Sequence, residues 1–367
     1  MLVEADGKAL FRGAGIAVPQ GDETGVPVGA GPWVVKAQVP ADGRGKAGGV
    51  VRCEDAGAVR AAVARMMQLR IKGHAVETCL VEEAVAGAER YLALVLDPAC
   101  YAVRVLFAAE GGVEVEQGGA VASAVCAPEL EAITAAMAGL VAGEPEAWRG
   151  ALVSTGARLA RLMLEAELML AEINPLFVSA AGCVAGDAKV VVDLNAIERQ
   201  PGIAALLRAR PGVYADAVHK LDEGFDYVEL DPDGEVGLVT TGAGLSMMLV
   251  DEMTARGMKP LNFLDIRTGQ LRGSPARLIR VLEWIAARPR VRVVLVNIFA
   301  GITDLGEFAR LLAEAVEQTP ALRVPIVARL VGRGAAEARL VLGARMPGMA
   351  VEEDLDLALG HVARVVA

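Results

Sequence analysis

Apolar and polar positions keep two different rhythms along the chain. Up to about residue 226 short apolar runs alternate irregularly with polar stretches. Residues 32–36 read as a strand, about 55–69 as a helix, and 77–83, 91–97 and 101–109 as strands. A helix over about 150–165 follows, and then two strands spanning Glu172 to Asp187, which together give an α+β pattern. Pro201 to Glu223, broken at Pro201-Gly202 and Pro211-Gly212, reads as a connector. From about residue 227 the rhythm becomes regular. Strands at 236–240, 261–265, 292–298 and 324–329 alternate with helices at 245–257, 275–287, 304–317 and 334–345, and a last helix lies near 353–366. Such alternation predicts a parallel sheet with helices on both faces, whose ligands lie at the carboxyl ends of the strands. Two domains are expected, 1–226 and 227–367.

Composition narrows the class. The chain has 367 residues, enough for two substantial cores. A hydrophobic share of 54% suggests a membrane protein at first. Much of that share is alanine, however, and charges or glycines interrupt each apolar run before about 18 residues. The start lacks a basic-then-apolar leader, so a cytoplasmic protein with no membrane partner is expected. A net charge of −10 argues against nucleic acid, and aromatics at 4% offer no base-stacking platform. Five scattered cysteines without a C-x-x-C pair suggest neither disulfides nor zinc. His74, His219 and His361 stand apart and read as structural residues rather than as a metal site.

Three stretches carry chemistry. Lys36 ends an apolar strand and is followed by Gly43-Arg44-Gly45-Lys46-Ala47-Gly48-Gly49. A cation beside a loop whose backbone N–H groups are sterically open suits nucleotide phosphates and points to an ATP-using enzyme. Glu172-Ile173-Asn174-Pro175-Leu176 and Asp187 place oxygen donors at the ends of two strands. An Asn carbonyl and an Asp carboxylate suit Mg²⁺, which takes one or two protein oxygens and completes its shell with phosphates and water. Asn297 to Thr303 runs off a buried strand towards a helix. There the Gly301, Ile302 and Thr303 amides either form an anion site or make an ordinary strand-to-helix turn.

In this arrangement the chain resembles the beta subunit of the succinyl-CoA synthetase family, the nucleoside-diphosphate-forming acid–CoA ligases, over nearly its whole length. The likeness rests on Gly31 to Lys36 with Gly43 to Gly49, Leu80-Val81-Glu82-Glu83-Ala84, Glu110-Gly111-Gly112-Val113-Glu114 and Ala171 to Leu176. It continues in Arg199-Gln200-Pro201, Gly242-Ala243-Gly244-Leu245, Asn262-Phe263-Leu264-Asp265 and Leu295 to Phe299 followed by Gly301-Ile302. The resemblance implies an N-terminal ATP-grasp domain and a C-terminal flavodoxin-like CoA-ligase domain that meets an alpha subunit. It also implies that Lys36, Gly43, Arg44 and Gly45 hold phosphates, that Glu82, the Val85 backbone and Glu89 contact adenosine, and that Asn174 and Asp187 bind Mg²⁺. By the same resemblance Glu172 accepts an N–H from the alpha subunit's phosphorylated histidine. Asn262 donates to the acid, and Gly301, Ile302 and Thr303 hold phosphohistidine and substrate carboxylate. ATP or GTP, CoA and a dicarboxylic acid are the implied substrates.

The chain departs from the family pattern in three places. Between Pro19 and Gly31 it is shorter than usual. After Asn262-Phe263-Leu264-Asp265-Ile266, where the family has small glycines, stand Arg267-Thr268-Gly269. After Gly301-Ile302 an arginine gives way to Thr303, and Asp304 follows. Arg267 either pairs with an acid other than succinate, such as malate, or obstructs the site. Asp304 either changes the charge at the substrate or caps a helix. Alongside the ligase stand two alternatives, a non-catalytic nucleotide-binding paralogue and an ATP-grasp ligase with an amine acceptor, the latter leaving the second domain unexplained.

Overall fold

The computed structural model describes residues 1–111 and 120–367, so Gly112 to Glu114 of the Glu110 motif fall outside the described residues. The chain divides into two compact units, Met1–Val213 and Tyr214–Ala367. The division falls ahead of residue 226 because strand β13 (Asp226–Glu229) pairs with β15 (Asn262–Asp265) of the second unit. The expected connector is two helices, α5 (Pro201–Arg208) and α6 (Ala215–Glu223). Pro201 sits in the first turn of α5, where its missing N–H costs nothing, so the proline read as a break is a helix start.

The first unit holds two antiparallel sheets. In the smaller, β1 (Gly21–Asp22), β6 (Cys79–Glu83), β2 (Trp33–Ala37) and β3 (Val50–Cys53) stand in the order β1-β6-β2-β3. Helix α2 (Ala56–Met66) covers it through Val59, Ala62 and Met66. In the larger, β10 (Leu168–Ser179) lies between β7 (Ala88–Asp97) on one side and β11 (Gly182–Ala185) and β12 (Lys189–Val192) on the other. Strands β8 (Ala102–Ala108) and β9 (Ala122–Cys126) extend it beyond β7. Leu92, Leu94 and Ile173 of this sheet and Leu159 of helix α4 (Glu146–Glu165) are fully buried, each contributing about 1.5–3 kcal/mol.

Helix α1 (Glu4–Gly13) escapes the apolar periodicity because it buries Glu4, Asp6 and Lys8 with Gly7 and Phe11. A Cβ on Gly7 would come within 3.1 Å of the Ala188 Cβ, so glycine lets this polar face lie against the turn that carries Asp187.

In the second unit β14 (Val236–Thr240), β16 (Val293–Ala300), β17 (Ile326–Gly332) and β18 (Ala350–Glu352) form a parallel sheet in that order. Val293 to Ile298 are all fully buried, as expected for a strand covered on both faces. Helices α8 (Ala276–Ala286), α9 (Leu305–Glu317) and α10 (Ala335–Arg345) share one core cluster, while α7 (Ala243–Ala255) and α11 (Leu355–Val366) share another. The strand expected at 261–265 is present as β15, but it ladders with β13 rather than joining the parallel sheet. Backbone bonds tie its ends to β14, from the Leu261 N–H to the Val236 carbonyl at 2.8 Å and from the Ile266 N–H to the Thr240 carbonyl at 3.0 Å, and a side chain fills the gap between them. Asn262 Oδ1 accepts from the Leu238 N–H at 2.9 Å, and Asn262 Nδ2 donates to the Leu238 carbonyl at 3.0 Å.

Candidate nucleotide site

A cavity of about 450 Å³ opens in the first unit between the two sheets. Strand β2 brings Lys36, the following turn brings Gly43, Arg44 and Gly45, and β6 with its exit brings Glu82 and Val85. Glu89 stands at the start of β7, Glu172 and Asn174 lie on β10, and Asp187 lies on the turn between β11 and β12. The structure thus gathers on one cavity wall every first-domain residue singled out from the sequence. Gly43 takes φ +77°, the left-handed region where a side chain is strained, and this turns the loop back over the strand. Gly49 N–H closes the turn on the Arg44 carbonyl at 2.8 Å.

The cations of this cavity face carboxylates of the same chain. Lys36 Nζ lies 2.8 Å from Glu4 Oε1, 2.6 Å from Glu82 Oε1 and 2.5 Å from the Gly186 carbonyl. Lys8 Nζ joins Glu4 at 2.8 Å and Glu82 at 2.6 Å. Arg44 reaches Glu4 Oε2 at 2.7 Å, and its other terminal nitrogen holds Asp187 Oδ1 and Oδ2 at 2.8 and 3.0 Å. Three cations and three anions therefore balance in a nearly dry pocket, where an unpaired charge would be costly. Burial works to raise the Glu4 carboxyl, but Lys36, Lys8 and Arg44 outweigh it and hold it well below the usual range. For Lys36 and Arg44 burial works downward, yet the surrounding carboxylates carry both above their ordinary values. Lys8 goes the other way, since burial there prevails over its partners.

Glu82, implied as an adenosine contact, also belongs to this network. It is 2% exposed and already ties Lys8 to Lys36. The sequence reading missed Glu4 and Lys8 altogether. Their signal was an oppositely charged pair four residues apart at the very start of the chain, the spacing that joins side chains on one helix face.

Glu172 is half-buried, and the Tyr91 hydroxyl donates to its Oε2 at 3.2 Å. Burial, with Glu172 beside it, pushes the Tyr91 phenol upward, so Tyr91 remains a donor. Asn174, Asp187 and Glu172 offer only hard oxygen donors to the cavity, a set that fits Mg²⁺ rather than a softer metal. Among the described residues no group of three or more His, Cys, Asp or Glu is arranged to hold a metal, so the phosphates would have to complete any Mg²⁺ shell. None of the three histidines lines the cavity. His74 lies on strand β5 (His74–Ala75), His219 stacks on Trp284 with ring centroids 4.0 Å apart, and His361 contacts Glu352 at 3.1 Å.

In the second unit the loops after β14, β15 and β16 converge, as the parallel topology requires. Asp265 Oδ1 accepts from the Gly242 N–H at 2.8 Å, and Thr303 Oγ1 donates to Thr268 Oγ1 at 2.9 Å. Two expectations change here. Asn262 is fully buried, and both ends of its amide already serve Leu238, which makes it a stitch in the fold rather than an open donor. Gly301, Ile302 and Thr303 precede the helix, as expected. Asp304 is the N-cap of α9 and accepts from the Glu307 N–H at 3.1 Å, so a carboxylate of the chain already sits where an anion was expected. That bond, against slight burial, holds the Asp304 carboxyl below its usual range. Arg267 adopts a left-handed backbone and pairs with Asp226 at 2.9 Å, a carboxylate that also pairs with Lys220 at 2.8 Å.

Comparison with known proteins agrees with this division. Residues 1–178 match the ATP-grasp domain family and residues 239–346 the CoA-ligase family. The chain is 36% identical over 363 residues to the succinate–CoA ligase [ADP-forming] subunit beta of Chloroflexus aurantiacus, covering 93% of each chain. It is 32% identical to that of Desulfurococcus amylolyticus over 100% of this chain and 98% of the relative. Against subunit beta 2 of Streptomyces coelicolor it is 36% identical, over 94% and 91%. ATP citrate lyase from Methanothrix soehngenii, solved with citrate and coenzyme A, superposes with a TM-score of 0.65 at 19% identity over 90% of this chain and 87% of that one, a likeness of fold. No helix among the described residues is long and apolar enough to cross a membrane. Sequence identity sustained over nearly the whole length places the chain in the succinate–CoA ligase beta-subunit family, the nucleoside-diphosphate-forming acid–CoA ligases.

Proposed function

We propose that this chain is the nucleotide-binding subunit of an ADP-forming ligase that joins a dicarboxylic acid, with succinate the first candidate, to CoA together with an alpha subunit. The observation that carries this reading is the convergence of Lys36, the Gly43–Gly45 turn, Glu172, Asn174 and Asp187 on one cavity. ATP would lie there with its phosphates towards Lys36 and Arg44 and its adenosine towards Val85 and Glu89. Asn174 and Asp187 would hold Mg²⁺, which offsets phosphate charge. The γ-phosphoryl group passes to a histidine of the alpha subunit and ADP leaves. The phosphoryl group then moves to the acid, and the CoA sulfur displaces phosphate from the acyl phosphate. Each step exchanges one phosphorus–oxygen, phosphorus–nitrogen or acyl bond for another.

Glu172 is suited to accept the N–H of the incoming histidine. Tyr91 donates to the same carboxylate and so fixes its orientation. This orients the ring so that its other nitrogen attacks. At the second unit, Asp226 holds the Arg267 guanidinium at 2.9 Å while also pairing with Lys220 at 2.8 Å, so Arg267 is anchored by a chain partner that it shares. The test is ADP formation by the chain co-expressed with its alpha partner, given ATP, Mg²⁺, CoA and a panel of dicarboxylates. Formation that requires one acid and CoA names the substrate. A stable, ATP-binding complex that forms no acid-dependent ADP would rule the proposal out.

A further inference from the structure

We propose that the Arg44–Asp187 ion pair is a selectivity device that makes the cavity take metal-complexed nucleotide and resist metal-free nucleotide. The inference rests on the reading above, in which Asp187 is a metal ligand and Arg44 a phosphate ligand, and it concerns how one site can supply both.

The three carboxylates of the network are not equivalent. The Glu4 and Glu82 side chains are 0% and 3% exposed, and each bridges at least two cations. Turning either away would leave Lys8 and Lys36 sharing a single carboxylate, an excess of buried positive charge. The Asp187 side chain is 28% exposed at the cavity wall. Its cation within salt-bridge distance is Arg44, held through both oxygens, and its Oδ1 also accepts from the Ala188 N–H at 2.6 Å. Arg44 in turn keeps Glu4 Oε2 at 2.7 Å when Asp187 lets go, so the guanidinium stays in place with one terminal nitrogen released towards the cavity. Asp187 is thus the exchangeable member, and Glu4 is the anchor.

Exchange has a sign. A metal-complexed triphosphate offers both halves of the pair a new partner, oxygen for the Arg44 nitrogen and a cation for the Asp187 carboxylate. The metal removes two of the charges that the nucleotide would otherwise add, so the complex disturbs the balance less than the bare nucleotide does. A metal-free triphosphate offers Arg44 a partner but leaves Asp187 with only the more distant Lys36 and Lys8 as countercharges, beside added negative charge, a like-charge contact. The pair therefore penalises the wrong form of the ligand more than it favours the right one.

The test is ATP affinity, measured calorimetrically on the full chain in EDTA and in Mg²⁺, for the wild type and for Asp187→Asn, which keeps the shape and removes the charge. Asp187→Ala serves as a second variant, and adenosine binding checks that the cavity is intact. In EDTA the Asn variant is expected to bind ATP about tenfold more tightly than the wild type, and in the Ala variant, which also loses the ligating oxygen, Mg²⁺ should no longer strengthen binding. If Mg²⁺ no longer helps but affinity in EDTA is unchanged or weaker, the exchange is wrong while the metal role of Asp187 stands. If Mg²⁺ strengthens binding by Asp187→Ala, which has no side-chain oxygen left, as it does the wild type, Asp187 is not the ligand, and the reading beneath the inference falls with it.

Discussion

Glu4 draws cations from 4, 32 and 40 positions further along the chain onto one buried carboxyl. Its carboxyl is held below the usual range, so the stability it contributes is present above its unfolded pKa of about 4.5 and is lost as pH falls through the lower folded value. Asp216 shows the opposite sign. Burial pushes its carboxyl up to about 6, so the fold favours the protonated acid, and that advantage is lost as pH rises from the unfolded value through the folded one. Asp216→Asn is expected to gain on the wild type by on the order of 2 kcal/mol between about pH 4 and pH 7.5, read by urea unfolding at each pH. A difference independent of pH would contradict the assignment. Arg267 combines a left-handed φ of 53° with a partly exposed ion pair. Arg267→Gly relieves the first and loses the second, so stability should stay within about 0.5 kcal/mol, checked by thermal unfolding. A loss of several kcal/mol would mean that Arg267 supports the fold in some other way.

At the scale of elements, period and breaks located most helices and strands of the second unit, and the failures have physical causes. Strand 261–265 has the apolar content of a sheet member, but nothing local says that its ladder runs to Asp226–Glu229 while Asn262 bridges to β14. Removing that bridge leaves a buried N–H and a buried carbonyl of Leu238 without partners. Asn262→Ala should therefore cost the second unit about 2–5 kcal/mol, measured as the denaturation midpoint at unchanged slope. Nucleotide binding to the first unit should be unaffected. Asp304 was left open between a charge at the substrate and a helix cap, and its bond to the Glu307 N–H decides for the cap. Asp304→Ala should cost about 1 kcal/mol, while Asp304→Asn or Asp304→Ser should recover most of it. Helix α1 was illegible for the reverse reason, since its buried face carries charges and amphipathic patterning looks for apolar residues.

For the molecule as a whole, both units were readable as classes, and the family was readable from ordered motifs. The acid substrate was not, because selectivity lies in a few side-chain positions within loops at the carboxyl ends of strands. None of the chain's three histidines lines the nucleotide cavity, which suits the proposal that the phosphoryl group passes to a histidine of the alpha subunit. The most direct test of that claim is transfer of label from γ-labelled ATP, with Mg²⁺, to the histidine of the co-purified alpha subunit, compared between the wild type and Asp187→Ala. The account predicts acid-labile, base-stable label on the alpha subunit with the wild type and none with the variant. Label on the alpha subunit at wild-type level with Asp187→Ala, or no label with the wild type in an intact complex, would contradict it.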